Sequence, residues 1–116
     1  MDEILEQALL YDFYGELLNR HQKEIYEQFI LEDLSLSEIA EAEGISRQGV
    51  HDLVRRCQKT LEGYENKLHL VRRFLSIKEK VHEMEKLLES RELTMENQGE
   101  LQRQFKKLSD SILEVL

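Results

Sequence analysis

Proline and tryptophan are absent from this sequence, cysteine occurs once and glycine five times. Without proline nothing in the chain forces a helix to kink or stop, so long uninterrupted helices are open to it. Strand formers are scarce as well, with five valines and two threonines, and this points away from sheets. The single Cys57 excludes an internal disulfide and a cysteine-based zinc site, and suits a reducing cytosol. The four histidines, His21, His51, His69 and His82, show no tight metal-ligand spacing, so neither metal nor cofactor is expected. No apolar run approaches the ~20 residues of a membrane span. The opening MDEILEQ is acidic where a secretory signal would be basic, so a cytoplasmic location is expected.

What the chain does contain is charge, at 34% of residues, beside 41% apolar residues that can supply a core. The formal net charge of −8 argues against a protein that coats nucleic acid indiscriminately. The charge is unevenly spread. Residues 1–36 hold nine acidic and two basic side chains, residues 37–63 five and four, and residues 64–116 ten of each. The acidity therefore sits in the N-terminal third, and the middle of the chain is close to neutral.

Apolar spacing and capping signals divide the chain into helices. Ile4, Leu5, Ala8, Leu9, Phe13 and Leu17 predict a first helix over Asp2 to Leu18 with that stripe buried. Phe13 is expected in the core, and Tyr11 and Tyr14 belong to an aromatic cluster that either packs or forms a sticky patch. Asn19 and Gln22 form a capping box opening a second helix to about Leu31, burying Ile25, Tyr26, Phe29 and Ile30. Ser35 and Glu38 form another, with Leu34 and Ile39 at the staple positions. Gly44 ends that short helix near Glu43, and Ser46 caps the next, with Ile45 and Val50 repeating the staple. Two stapled helices joined by so tight a turn must cross sharply, with Ala40 permitting close approach and Ile39, Ile45, Val50 and Leu53 filling the angle. This is the arrangement of a helix-turn-helix, spanning residues 34–61 within a domain of residues 1–63.

From Gly63 the pattern changes. Leu70, Phe74, Ile77, Val81, Met84 and Leu88 form one heptad seam, and Leu101, Phe105, Leu108, Ile112 and Val115 another. Thr94 is a candidate cap between them and Gly99 a weak point. Leu61, Tyr64, Leu68, Val71 and Leu75 make a further, overlapping seam. Residues 64–116 thus read as a C-terminal helical hairpin or dimer arm, the apolar surplus favouring a homodimer. The alternative is that the second stripe folds back onto the N-terminal helices.

The second helix of a helix-turn-helix usually lies in the major groove of DNA. Taking that helix as Arg47 to Glu62, with Val50, Leu53, Val54 and Cys57 facing inward, the candidate contact residues are Ser46, Arg47, Gln48, His51, Arg55, Arg56 and Lys59. Arg47 and Gln48 suit base edges, guanine and adenine respectively. Arg55, Arg56 and Lys59 suit phosphates, as do Ser46 and the free N–H groups of the helix start. A solvated helix surface would show the same residue types. Asp52 would repel phosphate, and Gly49 inside this helix costs about 1 kcal/mol relative to alanine unless another surface comes close. No catalytic constellation is visible, so an enzyme is not expected.

The stretch YDFYGELLN and the following HQKEIYEQFILEDLSLSEIAEAEGISRQGVHDLVRRCQKTLEGYENKL resemble the YlxM family of bacterial helix-turn-helix proteins, and with it region 4 of sigma factors. The resemblance covers about residues 9 to 75. It implies an all-α fold with a sigma region-4-like three- or four-helix bundle, to which the heptad seams add the long C-terminal hairpin or arm. It further implies a cytoplasmic, often dimeric, DNA-binding or regulatory protein linked to the signal recognition particle pathway through gene neighbourhood. Gly49 stands where alanine is usual in the family and His51 where tyrosine is usual. Double-stranded DNA is the expected partner. The competing expectation is a non-enzymatic module whose basic face docks RNA or protein, such as signal recognition particle components.

Overall fold

The computed structural model describes residues 3–89 and 97–116. Every regular element among them is helical: α1 (Glu3–Tyr14), a 3₁₀ turn (Gly15–Leu17), α2 (Arg20–Ile30), α3 (Leu36–Glu43), α4 (Arg47–Leu68), α5 (Leu70–Glu89) and α6 (Gln98–Val115). The chain divides into two compact units, Met1–Val71 and Arg72–Leu116.

In the first unit α4 packs against α1, α2 and α3. The caps expected from local sequence are present. The Asn19 carboxamide accepts the Gln22 N–H at 2.8 Å while the Gln22 side chain accepts from the Asn19 N–H, opening α2. Ser35 and Glu38 reciprocate in the same way at 3.1 and 3.0 Å. The hydrogen bonds to Ser35 favour the Glu38 carboxylate and hold its pKa below the ordinary 4.5. Gly44 adopts the left-handed conformation at φ 70°, so its own N–H and that of Ile45 both return to the Ala40 carbonyl. That stop turns the chain directly into α4. Ile25, Tyr26, Ile39, Val50, Cys57 and Leu61 are completely buried between the helices. Phe29 and Ile30 are only half-buried, and Ile45 keeps 38% of its surface exposed.

The first helix departs from expectation. It ends at Tyr14, and the chain tightens into the 3₁₀ turn before α2; Asp2 lies outside the described residues. Its buried face is Leu10, Tyr11, Tyr14 and, beyond it, Leu18. The expected stripe faces outward instead, with Ile4 67%, Leu5 59% and Leu17 56% exposed, and Phe13 at 38% is not a core residue. The reason lies in the phenols. The Tyr11 hydroxyl donates to Glu27 and the Tyr14 hydroxyl to Glu65 at 2.6 Å. Each ring is thereby buried with its polar atom satisfied, a pairing that outweighs plain apolar spacing. Tyr11 also packs on Tyr26, with ring centroids 5.8 Å apart.

The helix expected to end at Glu62 continues through Gly63 to Leu68, where His69 adopts φ 56° and closes it. This break interrupts the overlapping seam: Leu61 and Val71 are buried while Leu68 is exposed. Leu70 and Val71, the last residues of the first unit, are tied into it. Glu65 accepts the Val71 N–H at 2.9 Å, and the Tyr14 hydroxyl accepts the Leu70 N–H at 3.1 Å.

In the second unit the Lys80 ammonium on α5 donates to the Ser111 carbonyl on α6 at 3.3 Å. Leu101 is buried, whereas Phe74, Val81, Leu88 and Leu113 remain exposed. Gly99 falls in the first turn of α6. The candidate cap Thr94 lies outside the described residues.

Candidate nucleic-acid interface

The α3–turn–α4 unit presents one side of α4 to solvent. Val50, Leu53, Val54, Cys57 and Leu61 face the core. At 3.6 residues per turn the opposite line is Gln48, Asp52, Arg55 and Lys59, flanked by Arg47 and His51 on one side and Arg56 on the other. Ser46, Arg47, Gln48, Arg55, Arg56 and Lys59 are exposed and His51 is half-buried. All seven candidate residues therefore share one end and one side of a single helix. A shallow concavity is lined by His51, Asp52, Arg55, Arg56 and Lys59.

The start of α4 is ordered by Ser46, whose hydroxyl accepts the Gly49 N–H at 2.9 Å. This uses the Ser46 side chain and leaves the N–H groups of the first turn directed outward, at the positive end of the helix dipole. Gly49 has a local explanation. A β-carbon there would lie 3.1 Å from the Ser46 hydroxyl and within 4 Å of no other group, so its one close neighbour in the chain is the cap of its own helix.

Asp52 is the organising group within this face. Gln48 donates its carboxamide N–H to Asp52 at 3.0 Å, and the His51 Nδ1 stands 3.6 Å from the same carboxylate oxygen. Gln48 thus lies back along the helix surface. To meet a base edge it must exchange that bond, a modest cost for two exposed side chains. The guanidinium groups of Arg47, Arg55 and Arg56 and the Lys59 ammonium give the face its positive charge.

Cys57 sits directly beneath this surface. It is fully buried, and burial pushes its thiol up to about 11, with Arg56 pulling weakly the other way. Such a thiol is a packing group and not a nucleophile. Among the described residues no cluster of three or more His, Cys, Asp or Glu side chains could hold a metal ion, and no helix is long and apolar enough to cross a membrane.

Spacing alone missed the polar contacts that join the helices of the first unit. Glu65 joins the end of α4 to Tyr14 and the start of α5, and Gln28 on α2 donates to Glu43 at the end of α3 at 2.6 Å. The available signal was YDFYG itself. Two tyrosines three residues apart and followed by glycine mark a face that needs acceptors, and Gly15 lies so close under the Tyr11 ring that a β-carbon would meet it at 2.8 Å.

Comparison with known proteins agrees with this geometry. Residues 1–112 match the family model described as "Putative helix-turn-helix protein, YlxM / p13 like", UPF0122. A UPF0122 protein of Thermoanaerobacter sp. strain X514 is 48% identical over 88 residues, 76% of this chain and 75% of its own. One from Acetivibrio thermocellus is 47% identical over 90 residues, 78% and 77% of the two chains. One from Symbiobacterium thermophilum is 49% identical over 71 residues, 61% and 66% of the two.

Proposed function

Because the chain belongs to the YlxM/p13-like helix-turn-helix family, we propose that it is a cytoplasmic, DNA-binding regulatory protein that lays α4 in the major groove. The observation that carries this reading is the outward side of α4. Four positive side chains and an open helix N-terminus stand there together, backed by a fully packed core. Arg47 and Gln48 read bases. Arg55, Arg56, Lys59 and the first-turn N–H groups hold phosphates, with His51 beside them. The protein acts as a homodimer, setting two such helices about one turn of DNA apart. The apolar surface left open on α5 and α6 supports this. In a binding assay on duplexes selected from a random pool, Arg47→Ala relaxes sequence preference, costing about 1–3 kcal/mol at the base it reads. Lys59→Ala weakens binding to all sequences alike.

A second reading is favoured by Asp52, which occupies Gln48, and by the net charge of −8. In it the same face docks RNA or an acidic protein, and the family resemblance points to components of the signal recognition particle pathway. Co-purification with particle components, before and after nuclease treatment, separates the cases. A partner released by nuclease was bridged by nucleic acid, and one that survives was bound as protein.

A further inference from the structure

α4 and α5 are separated by a single residue whose backbone is at odds with the local sequence. His69 takes φ 56°, a left-handed conformation that a side chain with a β-carbon resists. Its buried Nδ1 has no hydrogen-bond partner, so nothing at that nitrogen offsets the backbone cost. Residues 64–75, YENKLHLVRRFL, contain neither glycine nor proline, and nothing in them stops a helix. Leu61, Tyr64, Leu68, Val71 and Leu75 keep a helical spacing of 3, 4, 3, 4 straight across His69. Leu68, a member of that seam, is nevertheless 46% exposed beside the break.

What holds the break comes from elsewhere in the chain. The Tyr14 hydroxyl on α1 accepts the Leu70 N–H at 3.1 Å and donates to Glu65 at 2.6 Å. The Glu65 carboxylate also accepts the Val71 N–H at 2.9 Å. With the break in place Val71 is buried. An unbroken helix would satisfy the same two N–H groups on the Asn66 and Lys67 carbonyls, four residues back, and would leave the Tyr14–Glu65 bond intact. The two arrangements thus satisfy the same donors. They differ in the backbone of His69 and in the tie to α1.

We propose that this junction is a two-state latch. In the latched form α4 ends at Leu68, held by Tyr14 and Glu65. In the released form residue 69 turns right-handed and α4 runs on through Val71. Backbone preference and apolar spacing favour release, whereas the tie to α1 favours the latch, and bistable devices arise from conflicts of this kind. The length of α4 then responds to any partner that fits one form better or draws Tyr14 away from Leu70. The device is independent of what the other end of α4 binds.

The test is NMR spectroscopy of the full chain, following the backbone couplings and carbon shifts of residue 69 and hydrogen exchange at the Leu70 and Val71 amides. In the natural chain residue 69 is left-handed. Tyr14→Phe keeps the ring, removes the hydroxyl and raises the ratio of right-handed to left-handed residue 69 at least about tenfold. His69→Ala shifts the ratio the same way with Tyr14 intact. Adding His69→Gly to Tyr14→Phe restores the left-handed form, which glycine adopts without a steric penalty. Protected amides at Val50, Val54 and Leu61 show that each variant is folded, and should Tyr14→Phe unfold, His69→Ala decides alone. If residue 69 stays left-handed in either folded variant, the break is not latched and the proposal fails. If either leaves residues 66–71 without helical shifts, the released form does not exist and the proposal fails as well.

Discussion

Single residues decide how α1 meets the domain. Gly15 is buried beneath the Tyr11 ring, and that ring is held by Tyr26 and Glu27, so it cannot retreat from a new methyl group. Gly15→Ala is expected to destabilise the fold by about 1–3 kcal/mol, the usual cost of overpacking, measured by urea unfolding. The buried phenols also impose an alkaline limit. Burial raises the pKa of Tyr11, Tyr14 and Tyr26, with Tyr26 reaching about 12 from an ordinary 10.0, and hydrogen bonds to Glu27 and Glu65 add to the first two. A pKa raised on folding contributes stability that is intact below the unfolded value and is lost as pH rises toward the folded one. Unfolding free energy should therefore stay level up to about pH 10 and fall between pH 10 and 12. Tyrosinate absorbance should grow together with loss of helical dichroism, and full ionisation without unfolding would contradict the packing described.

At the scale of elements, what was legible in the sequence is what is local. The caps at Asn19, Ser35 and Ser46 and the stop at Gly44 depend on residues within four positions of one another, so the helix starts of α2, α3 and α4 could be read directly. The buried side of α1 could not. Two apolar stripes compete there, and the choice between them was made by Glu65 and Glu27, which lie distant in sequence and supply the acceptors for Tyr14 and Tyr11. The end of α4 was hidden for a similar reason. Gly63 looks like a stop, but the helix runs on because Glu65 and Tyr64 still have partners in α1 and α5, Tyr64 stacking 6.0 Å from Tyr14. The exposed side of α4 was legible because it is the complement of a core that periodicity locates well. At this scale Ser35→Ala should cost about 1 kcal/mol at neutral pH. Part of the cap comes from Glu38, whose lowered pKa means a contribution present above the ordinary carboxylate value and lost as pH falls through the folded one. The penalty of Ser35→Ala should accordingly shrink in acid, as read by thermal unfolding at neutral pH and below pH 4.5.

For the whole molecule, an acidic chain carries a basic side on α4, and any ligand of that side must be drawn by local charge against an unfavourable net field. Asp52→Asn removes the negative charge at the centre of that side and weakens its hold on Gln48, so it should tighten binding to duplex DNA at low salt. An unchanged or weaker affinity would mean that the α4 face is not the contact. The most direct test of the central claim is the affinity of the full chain for duplexes enriched from a random pool, measured as salt is raised. With roughly two to four phosphates neutralised per protomer, log affinity should fall against log salt with a slope of about −0.9 per phosphate, and Lys59→Ala should flatten it. Failure to bind any duplex at low salt across the whole pool would contradict the account.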